Sequence, residues 1–469
     1  MHTPAFPKNL SASALPPALP LPMWSRAPGR SPLDVTIRPP GSKSITNRAL
    51  LLAALADGVS TLKHALIEAD DAQRMLSAIQ QLGASVNTTD PDSIKITGVA
   101  GQWHLPPQGT TLDLNNAGTA TRFLAASALL AGAPLTITGN QRMQQRPIAE
   151  LATLLETLAC TIHYHATTGY PPLTITPPAA LSTNQITIAP TQSSQFITAL
   201  MLVAVFLEHG LTISMPAGTT SASYVRMTID LLDQLGVQVQ HSEDLSVICI
   251  TPGLEPFTLD VEPDASGATY WWAAGALLPK ATVRVAGFDL QNHSLQGDAQ
   301  FPHLLEQMGC TLIESKNTLA CKGTPTLRPI ICDMRDMPDA VMSLASVACF
   351  ASGTTIIKGV QTLRVKECDR IAAMQAELGK LGVFVEDNLN GDPDTLSITP
   401  PSGPTRQSGT GIDCSPDCEP ITFATYDDHR MAMAVSLIAL RRPNITIDHP
   451  ACVDKTYPGY FTDFAKLYE

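Results

Sequence analysis

Residues 336–360, DMPDAVMSLASVACFASGTTIIKGV, carry the pattern that decides the fold. Polar, capping-type residues open the stretch, a nearly unbroken apolar run rich in Ala, Val and Leu follows, Gly353 closes it, and the β-branched TTIIKGV comes next. Near-continuous apolarity predicts a helix buried on most sides, the glycine its end, and the β-branched run a strand. ECDRIAAMQAELGKLGVFV, from Glu367, then reads as an amphipathic helix that ends in Gly and leads into another strand. Together these elements form a βαβαββ-like unit.

The same order of elements recurs about every 70 to 90 residues. Apolar helices are predicted from Ser44, Ala117, Ser193, Asp264, Asp336 and Asp427, and amphipathic partners from Asp70, Arg146, Ser223, Asp298 and Glu367. A shortened sixth partner is YPGYFTDFAKLYE. A chain of 469 residues exceeds what one hydrophobic core usually serves, so six units imply an α/β protein of two domains with three units each. If the polar helix starts (Ser44, Thr119, Ser193, Asp264, Asp336, Asp427) converge on one cleft, their free N–H groups and dipoles make an anion site.

Composition narrows the partners. Hydrophobic residues are 44% of the chain and charged residues 15%, with no apolar run long enough for a membrane span. The net charge of −12 argues against a general nucleic-acid binder, yet a cleft can still gather a few Lys and Arg against an acidic exterior. The ten cysteines are scattered, and the nearest pair, Cys414 and Cys418, has no second pair of ligands at zinc spacing, which fits reduced thiols in the cytoplasm. Residues 1–30, rich in Pro, Ser and Ala, lack a secretory core and read as a mostly irregular extension. A short organellar transit peptide is the alternative for that segment.

The chemistry starts at PPGSKSITNRALLLAALADG, from Pro39. Gly41, Ser42, Lys43 and Ser44 stand at a helix start with Arg48 one turn further in, a phosphate cradle by type. GxxxxGK[ST] is absent, so this is not a nucleotide P-loop. A solvated basic turn would account for Lys43, but poorly for an arginine leading straight into an apolar helix.

That stretch, with NNAGTATRFLAA, RMQQRPIAEL, SSQF, LRVKECDRIAAM and YDDHRMAMAVSL, resembles the enolpyruvyl transferase family in its shikimate-pathway branch, with every block in the family's order from about Pro39 to Phe461. The resemblance implies two similar inside-out α/β barrels. One spans residues 42–263 and the other residues 31–41 plus 264–469, with crossings near 41 and 263 and an active site between domains that closes on substrate. It also implies a cytoplasmic monomer that needs no metal or organic cofactor.

By the same resemblance, Lys43, Ser44, Arg48, Ser193, Ser194, Gln195, Ser221, Asp339 and Lys366 hold shikimate 3-phosphate. Lys43, Gly118, Arg146, Gln195, Arg370, Arg430 and Lys455 hold phosphoenolpyruvate. Arginine suits such positions because its planar fork meets carboxylate or phosphate with two hydrogen bonds. Asp339 and Glu367 are the expected acid/base pair, with Lys43 assisting. His429 is expected to support Arg430, and Trp271 and Trp272 to pack in a core. A glycine at position 118 implies room for glyphosate in the phosphoenolpyruvate site.

Three alternatives fit the sequence less well. The sister enzyme that uses UDP-N-acetylglucosamine resembles GAKN where this chain has Gly41-Ser42-Lys43-Ser44, and carries a loop Cys where this chain has Gln141. A non-catalytic binding module would lose its acid/base set first, yet Lys43, Asp339 and Glu367 are present. An RNA-end-modifying enzyme is disfavoured by the acidic charge and the lack of a basic, aromatic-laced face. The chain departs from the family at Ala222 and Ser223, where Lys or Arg then Pro is usual, at Thr362, where Asn is common, and at Phe123, where some relatives have Pro.

Overall fold

The computed structural model describes residues 6–7, 9–25, 32–90, 92–189, 193–219, 221–279, 281–291, 294–403 and 410–469. The chain forms two compact units, here named by their place along it: a middle unit, Gly41–Glu262, and a flanking unit built from the residues up to Pro40 and Pro263–Glu469.

The described residues of the middle unit hold three four-stranded sheets of one plan. In the first, Thr258–Asp260 runs parallel to Val59–Lys63, Ser93–Thr97 returns antiparallel to Val59–Lys63, and Ser85–Asp90 pairs antiparallel at the far edge. Thr110–Asp113, Leu135–Thr138, Leu173–Thr176 and Thr161–Tyr164 repeat it, as do Gln185–Thr187, Leu211–Ser214, Val247–Ile250 and Val239–His241. Strands such as Leu135–Thr138 alternate buried and half-buried residues, the period-two pattern of a sheet with one covered face.

The covering helices are the apolar ones expected. In Lys43–Leu55, Gly118–Ser127 and Ser194–Ala204 nearly every residue is buried. The second helix of a unit buries only a stripe, as Ala72, Met75, Leu76 and Ile79 do in Asp70–Gln81.

The flanking unit uses the same plan. Leu33–Ile37 lies parallel to Ala281–Ala286, followed by Thr318–Lys322 and Thr311–Ser315. Ile331–Asp333, Thr355–Lys358, Thr395–Thr399 and Phe384–Asp387 form the next sheet. All thirteen residues of Ala265–Leu277 are buried. Trp271 stacks on Tyr460 with ring centroids 5.1 Å apart, and Trp272 donates to the Leu319 carbonyl at 2.8 Å. Both tryptophans are core residues.

The N-terminal extension departs from expectation. Residues 1–5, 8 and 26–31 lie outside the described residues, but much of the remainder is ordered structure. Ala12–Ala14 forms a 3-10 turn, and Ala18–Leu21 is a strand antiparallel to Ile445–Asp448, which is itself parallel to Ile421–Phe423. Leu19 and Leu21 are buried, and Trp24 donates to the Leu467 carbonyl at 3.0 Å. Pro20 is tolerated because this strand lies at a sheet edge. Proline-rich composition hid a four-residue strand whose partner lies near the other end of the sequence.

Candidate active site

In the middle unit most of the expected site residues stand at or near helix starts. Ser42 caps Lys43–Leu55 by accepting from the Ile45 N–H at 3.5 Å. Gly41 is required where it is, because a Cβ there would strike the His64 carbonyl. Lys43 Nζ lies 3.4 Å from Asp71, a buried carboxylate that the sequence reading did not single out.

Arg48 is buried and braces three helices. Its Nε donates to Thr228 at 2.9 Å, Nη1 to the Ser44 carbonyl at 2.8 Å, and Nη2 to the Tyr224 carbonyl at 3.1 Å and the Thr198 hydroxyl at 3.5 Å. These acceptors are neutral oxygens, and burial lowers the guanidinium pKa to about 10.

Arg146 sits at the first turn of Gly118–Ser127. Its Nη1 reaches the Asn116 carbonyl at 3.4 Å and side-chain oxygen at 3.3 Å, and its buried Nε has no hydrogen-bond partner among the described residues. A Cβ on Gly118 would stand 2.5 Å from Nη2 and 2.7 Å from Nη1. A guanidinium against the positive end of a helix is an unfavourable pairing until an anion joins it.

Ser193 caps Ser194–Ala204, its hydroxyl accepting from the Gln195 N–H at 3.3 Å. Ser221 adopts a left-handed conformation, φ 52°, ahead of Ala222–Gln234 and makes no side-chain cap.

In the flanking unit, side chains distant in sequence form one charged cluster. Asp339, on the 3-10 turn Pro338–Ala340, accepts from Arg370 at 2.9 Å and Arg430 at 3.0 Å, with Lys366 at 3.5 Å. Glu367 accepts from Arg370 at 2.9 Å and lies 3.4 Å from Lys455. Asp428 closes the cluster, taking the Arg370 Nε at 2.8 Å while its other oxygen caps His429–Ser436 through the Arg430 N–H at 2.9 Å.

Four cations (Lys366, Arg370, Arg430, Lys455) thus meet three carboxylates (Asp339, Glu367, Asp428). Burial alone would lower the Arg370 pKa, but Asp428, Glu367 and Asp339 together outweigh it and hold the pKa above its ordinary value. Burial also lowers the Lys366 pKa, with Asp339 opposing. His429 is buried beside Asp428, 3.8 Å from Nδ1 to the carboxylate.

Two acids belong to this region that sequence reasoning missed. Asp428 was legible only as one of two acids before His429, and its bond to Arg370 spans 58 residues of chain. Asp298 is fully buried, accepts from Ser266, and has its pKa raised to about 7 by burial and by the neighbouring Asp339. Thr362, at the position where Asn is common, has its Oγ1 buried with no hydrogen-bond partner among the described residues.

A family model described as EPSP synthase (3-phosphoshikimate 1-carboxyvinyltransferase) matches residues 28–464. The chain belongs to the EPSP synthase family. It is 40% identical over 435 residues to a 3-phosphoshikimate 1-carboxyvinyltransferase of Shewanella sediminis, covering 92% of this chain and 96% of the relative. To the protein of that name from Thiobacillus denitrificans it is 40% identical over 444 residues, covering 94% and 98%.

Among solved structures, an EPSP synthase from Acinetobacter baumannii superposes with a TM-score of 0.73 at 24% identity, over 95% of this chain and 97% of that one. The enolpyruvyl transferase NikO from Streptomyces tendae gives 0.67 at 16%, over 94% and 96%. These likenesses show the fold, and it is the two-domain inside-out α/β architecture expected for the family.

Proposed function

We propose that this chain transfers the enolpyruvyl group of phosphoenolpyruvate to the 5-hydroxyl of shikimate 3-phosphate, releasing phosphate. The observation that carries the reading is the flanking-unit cluster, where Asp339 and Glu367 share Arg370 and are flanked by Lys366, Arg430 and Lys455. Addition and elimination at an activated enol phosphate need positioned charges and moved protons, not a redox group. No metal or organic cofactor enters this reaction scheme.

Arg370, Arg430 and Lys455, with Arg146 beside Gly118 and with Lys43 and Gln195, bind the carboxylate and phosphate of phosphoenolpyruvate. Lys43, Ser44, Arg48, Ser193, Ser194, Gln195, Ser221, Asp339 and Lys366 hold shikimate 3-phosphate, and Arg48 also donates to the Ser44 and Tyr224 carbonyls. Asp339 takes the proton of the 5-hydroxyl as that oxygen attacks, and Glu367 delivers a proton to the methylene carbon. When substrate anions draw Arg370, Arg430 and Lys455 to themselves, the two carboxylates keep less compensating charge, which favours proton uptake. Phosphate then leaves the tetrahedral intermediate as the new methyl carbon returns a proton to Glu367 and the proton held by Asp339 passes to the departing phosphate, with Lys43 stabilising its charge.

Glyphosate is the expected competitor of phosphoenolpyruvate, since it also presents a carboxylate and a phosphonate to the cations near Gly118. The family resemblance is the support for placing the chain in the cytoplasm as a monomer. The test is phosphate release from phosphoenolpyruvate without added metal, with shikimate 3-phosphate or UDP-N-acetylglucosamine as acceptor. Release with shikimate 3-phosphate alone supports the reading. Release with the sugar nucleotide, or with neither, defeats it.

A further inference from the structure

The family match begins at residue 28, yet the segment before it is built into the flanking unit at one particular place. In the other five sheets, the strand antiparallel to the central one follows it in sequence; here that strand, Ala18–Leu21, comes from the N-terminal segment. Its partner Ile445–Asp448 runs directly into the 3-10 helix Pro450–Lys455, whose last residue is Lys455.

The N-terminal segment fastens that short helix on both sides. Ahead of it, the His449 N–H donates to the Pro17 carbonyl at 2.6 Å; behind it, the Ala12 N–H donates to the Pro458 carbonyl at 3.2 Å. His449 has a left-handed backbone, φ 46°, unusual for a residue with a side chain, and its bond to Pro17 helps to hold that geometry. A 3-10 helix has poorer hydrogen-bond geometry than an α-helix and gains most from outside support. The attachment is also apolar: Leu10, Ala12, Leu19 and Leu21 are buried, and the Phe6 ring meets Tyr468 edge-on at 5.1 Å.

We infer that residues 9–25 form a strap that positions Lys455, so that a segment outside the family match sets the phosphoenolpyruvate affinity of this chain. The inference rests on the reading of Lys455 as a phosphoenolpyruvate contact. Lys455 lies 3.4 Å from Glu367, so movement of its helix would displace a cation from the anion-binding cluster and leave the shikimate 3-phosphate contacts of the middle unit unaltered. The strap is a positioning element and touches no substrate.

The experiment compares the full chain with a variant lacking residues 2–25 and with Ala12→Pro. The proline removes the N–H given to Pro458 and adds a ring at a buried helix start, where its fixed φ is accommodated. Hydrogen exchange at residues 449–455 is followed together with steady-state kinetics, and a synthetic peptide of residues 6–25 is added back to the truncated protein.

The expected result is faster exchange at 449–455 and a KM for phosphoenolpyruvate raised by about tenfold, while kcat and the KM for shikimate 3-phosphate stay within about twofold. The peptide should restore both readings. Unchanged exchange and unchanged KM in folded truncated protein overturn the strap; should truncation unfold the chain, the same two readings on Ala12→Pro decide it. Lys455→Met is the separate control. If it leaves the KM for phosphoenolpyruvate unaltered, the role given to Lys455 is wrong, whereas the exchange at 449–455 still judges the strap.

Discussion

Arg48 and Arg370 are both buried arginines near helix starts, and they are held in opposite ways. Arg48 in the middle unit gives its N–H groups to neutral oxygens, and burial lowers its pKa. Arg370 in the flanking unit touches three carboxylates, and its pKa is raised. The contrast extends to Arg146, which lies over a helix N-terminus with a buried Nε lacking a hydrogen-bond partner among the described residues. Cations held by neutral groups keep their attraction for an incoming anion. Cations beside carboxylates favour the ionised form of those carboxylates until an incoming anion competes for the cations. On the proposed mechanism, Arg48 and Arg146 of the middle unit hold charge, whereas Asp339 and Glu367 of the flanking unit move protons.

The largest expected effect is on turnover. Glu367→Gln should lower kcat by roughly 10²–10⁴-fold, the range for loss of a general acid or base, without raising the KM for phosphoenolpyruvate, since Arg370 and Lys455 lose a competing carboxylate. A fall in kcat below tenfold in steady-state assays would remove Glu367 from proton transfer.

Stability should separate the two arginines next. Arg370→Met leaves Asp428, Glu367 and Asp339 without their shared partner and should cost about 3–5 kcal/mol in urea unfolding. Arg48→Met orphans only neutral acceptors and should cost about 1–3 kcal/mol. Equal losses would erase the distinction.

Asp298 gives a pH signature inside the flanking unit. With its pKa raised from 3.8 to about 7, the folded state binds the proton more tightly than the unfolded chain. Its contribution to stability is therefore greatest at low pH, declines as pH rises through that window, and levels off above about 7. Asp298→Asn should gain on the parent by up to a few kcal/mol between pH 5 and pH 8. A gap that does not change with pH would mean that Asp298 ionises freely.

The smallest effect belongs to Gly118→Ala. A Cβ 2.5 Å from the Arg146 tip displaces a flexible guanidinium and no backbone atom, so the fold should survive. The KM for phosphoenolpyruvate should rise by about tenfold with kcat little altered, and inhibition by glyphosate should weaken. An unchanged KM would show that Arg146 contributes no binding from this position.

Much of this arrangement was legible in sequence because it is local. The buried helices announce themselves by continuous apolarity, and Ser42 and Ser193 stand where caps belong. The clustering of Asp339, Lys366, Glu367, Arg370, Arg430 and Lys455 followed from motif resemblance, not from spacing. Sequence reasoning failed where the cause is tertiary. Asp298 looks like an ordinary helix-start acid until its burial is seen, Asp71 becomes relevant only through Lys43, and Ala18–Leu21 becomes a strand only because Ile445–Asp448 offers an edge.

The most direct test of the division between the units is the dependence of phosphate release on phosphoenolpyruvate concentration, at saturating shikimate 3-phosphate, for Arg146→Met and Glu367→Gln side by side. The account predicts that Arg146→Met raises KM and largely preserves kcat, whereas Glu367→Gln lowers kcat and does not raise KM. Loss of the same kinetic parameter in both variants would contradict it.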